Sequence, residues 1–62
     1  MAAYDKLPKD PVMLLSFLNT QLRDNYASLE ELTSAFGLDM NEIRHTLRAI
    51  SYEYDPGTNQ FI

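Results

Sequence analysis

The sequence predicts a mainly α domain, with a three-helix core of the helix-turn-helix type and a short C-terminal β-hairpin, a small winged-helix-like arrangement. Three observations predict it. Apolar residues recur at helical spacing in three separate segments, Leu14 to Leu22, Leu29 to Phe36 and Met40 to Ile50. Gly37 stands between the second and third of these, with only Leu38 before the next helix start at Asp39. After Ser51 the pattern alternates, around the turn chemistry of Asp55-Pro56-Gly57-Thr58-Asn59. At 62 residues the chain has room for one domain, placed at residues 10–62 behind a loose leader, residues 1–9.

Each element carries its own signals. Asp10-Pro11 opens the first helix, because aspartate accepts from first-turn amides and proline suits the first helical position. That helix is expected to run to about Tyr26, with Leu14, Leu15, Leu18 and Leu22 as its core stripe. Ser28-Leu29-Glu30-Glu31 reads as a capping box for the second helix, whose Leu29, Leu32 and Phe36 turn inward. Gly37 supplies the left-handed stop, and Leu38 packs back across it. Asp39-Met40-Asn41-Glu42 reads as a second capping box, for a helix burying Met40, Ile43, Leu47 and Ile50. In the hairpin, Tyr52 and Tyr54 face one way and Glu53 and Asp55 the other. Thr33 stands where many helix-turn-helix units have alanine.

Composition narrows the function classes. There is no cysteine, and a single histidine, His45, is too few for a three- or four-ligand transition-metal site, so no metal and no cofactor is expected. The start of the chain lacks a secretory pattern, and the apolar run Val12 to Leu15 is far below membrane-spanning length; a cytoplasmic protein without a membrane role is expected. Nine acidic residues against five basic ones leave a formal charge of −4, which argues against nucleic acid as the main partner. With 45% hydrophobic residues the chain is too apolar to stay disordered. No nucleophile is set beside His45 by a local motif, and no glycine-rich phosphate loop exists. A domain this small is also expected to lack a typical pocket of roughly 300–1,000 Å³, so neither an enzyme nor a small-molecule substrate is expected.

Two surfaces remain as candidates. Asn41, Arg44, His45 and Arg48 recur at i, i+3, i+4 and i+7, one stripe on the third helix, with side chains able to read base edges and contact phosphates. The bland reading is a solvated face whose arginines complement the helix dipole. Met13 and Phe17 lie one turn apart, off the Leu14-Leu18-Leu22 line. Either they form a second cluster under Tyr4, Leu7 and the Tyr52, Tyr54 and Phe61 rings, or they remain exposed as a contact surface. Asn19 with Arg23, and Thr20 with Asp24, are spaced to tie side chains of the first helix to one another or to neighbouring backbone, the alternative being a binding epitope.

The stretches Leu7-Pro8-Lys9-Asp10-Pro11, Leu22-Arg23-Asp24, Tyr52-Glu53-Tyr54-Asp55 and Asn59-Gln60-Phe61 resemble a family of bacterial proteins of about this length, known only as a domain of unknown function. The resemblance implies a bacterial, free-standing protein and brings no activity, cofactor or site residue with it. The leading expectation is a binding or structural module that acts through a protein partner or self-association. The alternative is a DNA-binding protein using Asn41, Arg44, His45 and Arg48.

Overall fold

The computed structural model describes residues 7–62 and shows three helices followed by a two-stranded antiparallel hairpin. The helices are α1 (Pro11–Asp24), α2 (Leu29–Phe36) and α3 (Met40–Arg48); the strands are β1 (Tyr54–Asp55) and β2 (Gln60–Phe61). One core joins them: Leu14, Leu18 and Leu22 from α1, Leu29, Leu32 and Phe36 from α2, Ile43 and Leu47 from α3, and Phe61 from β2. Leu15, Met40 and Ile50 are half-buried at its margin rather than inside it. Leu7 packs against the core from the N-terminal side, whereas Tyr4 lies outside the described residues.

The helix starts follow from their caps, with two departures from expectation. Asp10 accepts from the Met13 amide at 3.1 Å, with Pro11 in the first turn. Ser28 accepts from the Glu31 amide at 3.1 Å, but the Glu31 carboxylate reaches one residue further back than a capping box requires, to the Ala27 amide at 3.2 Å. Asp39 accepts from Asn41 rather than Glu42, at 2.9 Å. It is therefore a simple N-cap, because its carboxylate meets the second helical amide and not the third. Thr33 is buried, and its hydroxyl donates to the Leu29 carbonyl at 2.9 Å, so the position tolerates it without an orphaned polar group.

Two helices stop by the same device. Gly37 takes φ +69°; its amide donates to the Ser34 carbonyl and the Leu38 amide to the Thr33 carbonyl, at 3.3 and 2.8 Å. Past α3, Ser51 also takes φ +69°, its amide donating to the Arg48 carbonyl and the Tyr52 amide to the Leu47 carbonyl, at 2.9 and 3.0 Å. Ser51 thus caps a helix instead of starting a strand, and the strand begins at Tyr54. Helix α1 likewise ends at Asp24, earlier than Tyr26, whose amide still bonds the Gln21 carbonyl. Tyr26 turns its ring edge-on to Phe36, with centroids 5.4 Å apart.

In the hairpin Tyr54 stands opposite Phe61 and Asp55 opposite Gln60, while Glu53 and Ile62 exchange both backbone bonds. The Tyr54–Phe61 pair therefore directs its peptide groups away from the partner strand. On the β2 side they meet α1. The Phe61 amide donates to Asn19 Oδ1 at 2.8 Å, and Asn19 Nδ2 donates to the Phe61 carbonyl at 3.2 Å. Asn59, at φ +56°, sends Nδ2 to the Leu22 and Tyr26 carbonyls, each at 3.0 Å. Its Oδ1 accepts from the Tyr54 hydroxyl at 2.6 Å, and that hydroxyl accepts from the Leu29 amide at 3.2 Å. The hairpin is thereby fixed to the end of α1 and the start of α2.

The paired caps set up opposite outcomes. A Cβ at Gly37 would meet nothing within 4 Å, so the penalty there is purely conformational. Gly37→Val should lower the unfolding free energy by more than about 1 kcal/mol. Ser51→Gly should raise it by about 1 kcal/mol, since glycine relieves the left-handed strain that serine carries. Urea denaturation of the three proteins measures both shifts, and equal midpoints would show that neither residue holds a left-handed cap.

Candidate functional site

Helix α3 brings its predicted stripe together. Asn41, Arg44, His45 and Arg48 are all exposed, as their spacing requires. The surroundings are less favourable to an anionic ligand. Arg48 pairs with Glu53 at 3.4 Å, so the hairpin takes one of the two arginines, and Asp39 and Glu42 lie exposed at the N-terminal end of the helix. Arg44 has no carboxylate within ion-pair distance among the described residues.

The other predicted pair is split. Met13 is exposed (62% of its surface), whereas Phe17 is half-buried with its ring 5.9 Å from that of Phe36. The ring contact to Phe17 comes from α2, through Phe36, while Tyr4 of the leader lies outside the described residues. Tyr54 and Phe61 pair with each other, at 5.5 Å, and Tyr52 is exposed. A helix-turn-helix unit can shield Phe17 because the Phe36 side chain is long enough to reach past the leucine stripe. Only Met13 remains on the surface of α1, next to Val12, which is 60% exposed.

Sequence reasoning did not anticipate a concavity beside α1. A groove of about 670 Å³ runs between α1 and the hairpin, against the expectation that so small a domain has no room for one. It exists because β2 is held beside α1 and not on top of it. Asn59 meets Leu22 and Tyr26, and Phe61 meets Asn19, so β2 descends antiparallel to the helix and leaves a trough between them. Val12, Leu15, Ser16, Thr20 and Arg23 form the helix wall, and Thr58 and Gln60 the hairpin wall. Val12, Ser16, Asn19 and Arg23 fall within about 60° of one another around the helix, by 100° per residue. The signal in the sequence was there, but it read as an ordinary polar side.

The predicted ties along α1 take other partners. Asn19 bonds the hairpin backbone, not Arg23. Arg23 instead forks onto the neighbouring Asp24, with Nε and Nη2 at 2.9 and 3.0 Å from its two oxygens. Those hydrogen bonds hold the Asp24 carboxyl below its ordinary pKa and raise that of the guanidinium. Among the described residues, no group of three or more His, Asp or Glu side chains is placed to hold a metal ion, and no helix is long and apolar enough to cross a membrane.

A family model for a domain of unknown function (DUF4250) matches residues 8–61. No curated protein and no solved structure matches the chain.

The split of the Met13–Phe17 pair is measurable. Phe17→Ala should cost about 2 kcal/mol, less than a fully buried phenylalanine because its ring is only partly covered. Met13→Ser should change stability by no more than about 0.5 kcal/mol. Thermal melts followed by circular dichroism would reveal the reverse order if Met13 were the buried member.

Proposed function

The chain belongs to this family of domains of unknown function, and we propose that it acts without catalysis, as a module that docks a protein partner in the groove between α1 and the hairpin. One observation carries the reading: the groove opens beside the largest apolar exposure on α1, where Val12 and Met13 are uncovered. Val12 belongs to both features. Concave surface with apolar residues at one end and hydroxyl and amide groups at the other suits a peptide segment, which needs burial for affinity and polar contacts for register. Its walls rest on the core leucines through Leu22 and Leu15, so they form a firm platform.

A selection of random peptides on the immobilised full chain tests this. Binders should perturb the amide resonances of Val12, Leu15, Thr20 and Gln60, and should lose at least about tenfold in affinity on Val12→Asp, the loss expected when a buried apolar contact is replaced by a charge. Perturbation confined to α3, or a library that yields no binder, would remove the groove from consideration. Light scattering at rising concentration tests a second copy of the chain as the occupant.

The second reading, DNA binding through α3, rests on the exposed stripe of Asn41, Arg44, His45 and Arg48. The Arg48–Glu53 pair and the net charge of −4 count against it. Binding to random duplex at physiological salt should be no tighter than about 10⁻⁴ M. Micromolar binding that weakens steeply with salt, and vanishes in Arg44→Ala/Arg48→Ala, would establish the DNA reading instead.

A further inference from the structure

We infer that the hairpin is built to refuse a second copy of the chain at both of its strand edges, so that the domain cannot lengthen its sheet by pairing with itself. A two-stranded sheet has two edges, and unpaired edges are an ordinary route to self-association. The β2 edge is closed by α1, since Asn19 takes both the Phe61 amide and its carbonyl, at 2.8 and 3.2 Å. The β1 edge is shut differently. Glu53 bonds Ile62 and Tyr54 stands opposite Phe61, so the peptide groups of Tyr52, Tyr54 and Pro56 are the ones that face outward from β1. The Tyr52 amide is already taken by the Leu47 carbonyl, at 3.0 Å, in the cap that ends α3. Pro56 has no N–H. Tyr54 alone keeps a donor for an incoming strand.

Register turns this into a barrier against a copy. Two identical antiparallel strands related by a two-fold axis must be centred on Tyr54, where each copy offers both an amide and a carbonyl. Tyr52 then faces Pro56 of the other copy, on both sides of the centre. Neither has an amide to give, so the ladder stops at the two hydrogen bonds exchanged by the Tyr54 pair. Glu53 falls opposite Asp55 of the other copy, again on both sides, at positions where side chains come closest. Like charges there oppose the pairing. The Arg48–Glu53 contact, at 3.4 Å between exposed side chains, is too weak an ion pair to cancel that repulsion. The missing amides, for their part, do not depend on charge.

This closure is independent of the groove and would hold whatever docks there. Its test is light scattering of the full chain at rising concentration, with hydrogen exchange of the Tyr54 amide reporting on the edge itself. In the parent that amide should exchange at the same rate at every concentration. Glu53→Lys converts both like-charge pairs into opposite ones, and Pro56→Ala restores the missing amide. The double variant should self-associate at least about tenfold more tightly than the parent, with the Tyr54 amide protected in the associated form. Glu53→Lys alone should give part of that gain, and keeps the test open if loss of Pro56 disturbs the turn. Arg48→Gln, which removes the ion pair and keeps the carboxylate, should give none. Circular dichroism melts confirm that each variant folds. Variants as monomeric as the parent, or a parent whose Tyr54 amide becomes protected on association, would overturn the inference. Association of the parent that leaves the Tyr54 amide exchanging and is lost on Val12→Asp would seat the copy in the groove and bear out the closed edge.

Discussion

The grip of two side-chain amides on the hairpin is the interaction that the rest of this structure depends on. A chain of 62 residues without cysteine has little burial to spare, and Phe61, 2% exposed, is the hairpin's contribution to the core. Holding that ring in place requires the backbone of β2 to lie against a helix, where its outward amide and carbonyl have no strand to pair with. Asn19 solves this by imitating a peptide group, offering an acceptor and a donor to the same residue. Asn59 does the converse, bringing an amide from the turn to carbonyls at the end of α1 that the helix leaves unpaired. Removing either amide would leave part-buried backbone groups unsatisfied, at roughly 1–3 kcal/mol each.

The same grip creates the candidate site. The contact runs through side chains of one helix face, and the groove is lined by that face of α1 and by the hairpin. Asn19 and Asn59 lie in that groove with their polar groups already committed, so recognition falls to the residues that flank them. It also decides the manner of recognition. With the Phe61 peptide groups occupied, specificity on that side has to come from side-chain contacts rather than from strand addition.

What the sequence made legible was whatever is local. Asp10-Pro11, the Ser28 cap and Gly37 each act within four residues of a helix end and appear where expected, although Glu31 reaches back to Ala27 rather than to Ser28. Ser51 does the work of Gly37 at the end of α3, yet serine is no stop signal, so this left-handed turn has no local signature. Long-range pairings were illegible for a related reason. Asn19 to Phe61 spans 42 residues, and an asparagine on a helix's polar side has the same appearance whether it meets water or a strand. Whether Phe17 would be covered was left open by helical angle alone, because the angle says nothing of the reach of Phe36 from the neighbouring helix. The groove was missed since volume arguments treat a small domain as convex, and a hairpin laid along one helix makes a concave seam.

Local arrangement also refines what net charge implies. On composition alone, an excess of acid weighs against every anionic partner equally. The fold distributes it unequally. At α3, the hairpin that would flank a nucleic acid supplies Glu53, whose carboxylate takes Arg48, so the wing weakens the helix it would assist. At α1, the acid that pairs with Arg23 is the adjacent residue Asp24, outside the groove's lining, and the opposite wall is Thr58 and Gln60. One arginine is therefore opposed from across the fold, and the other only from beside it.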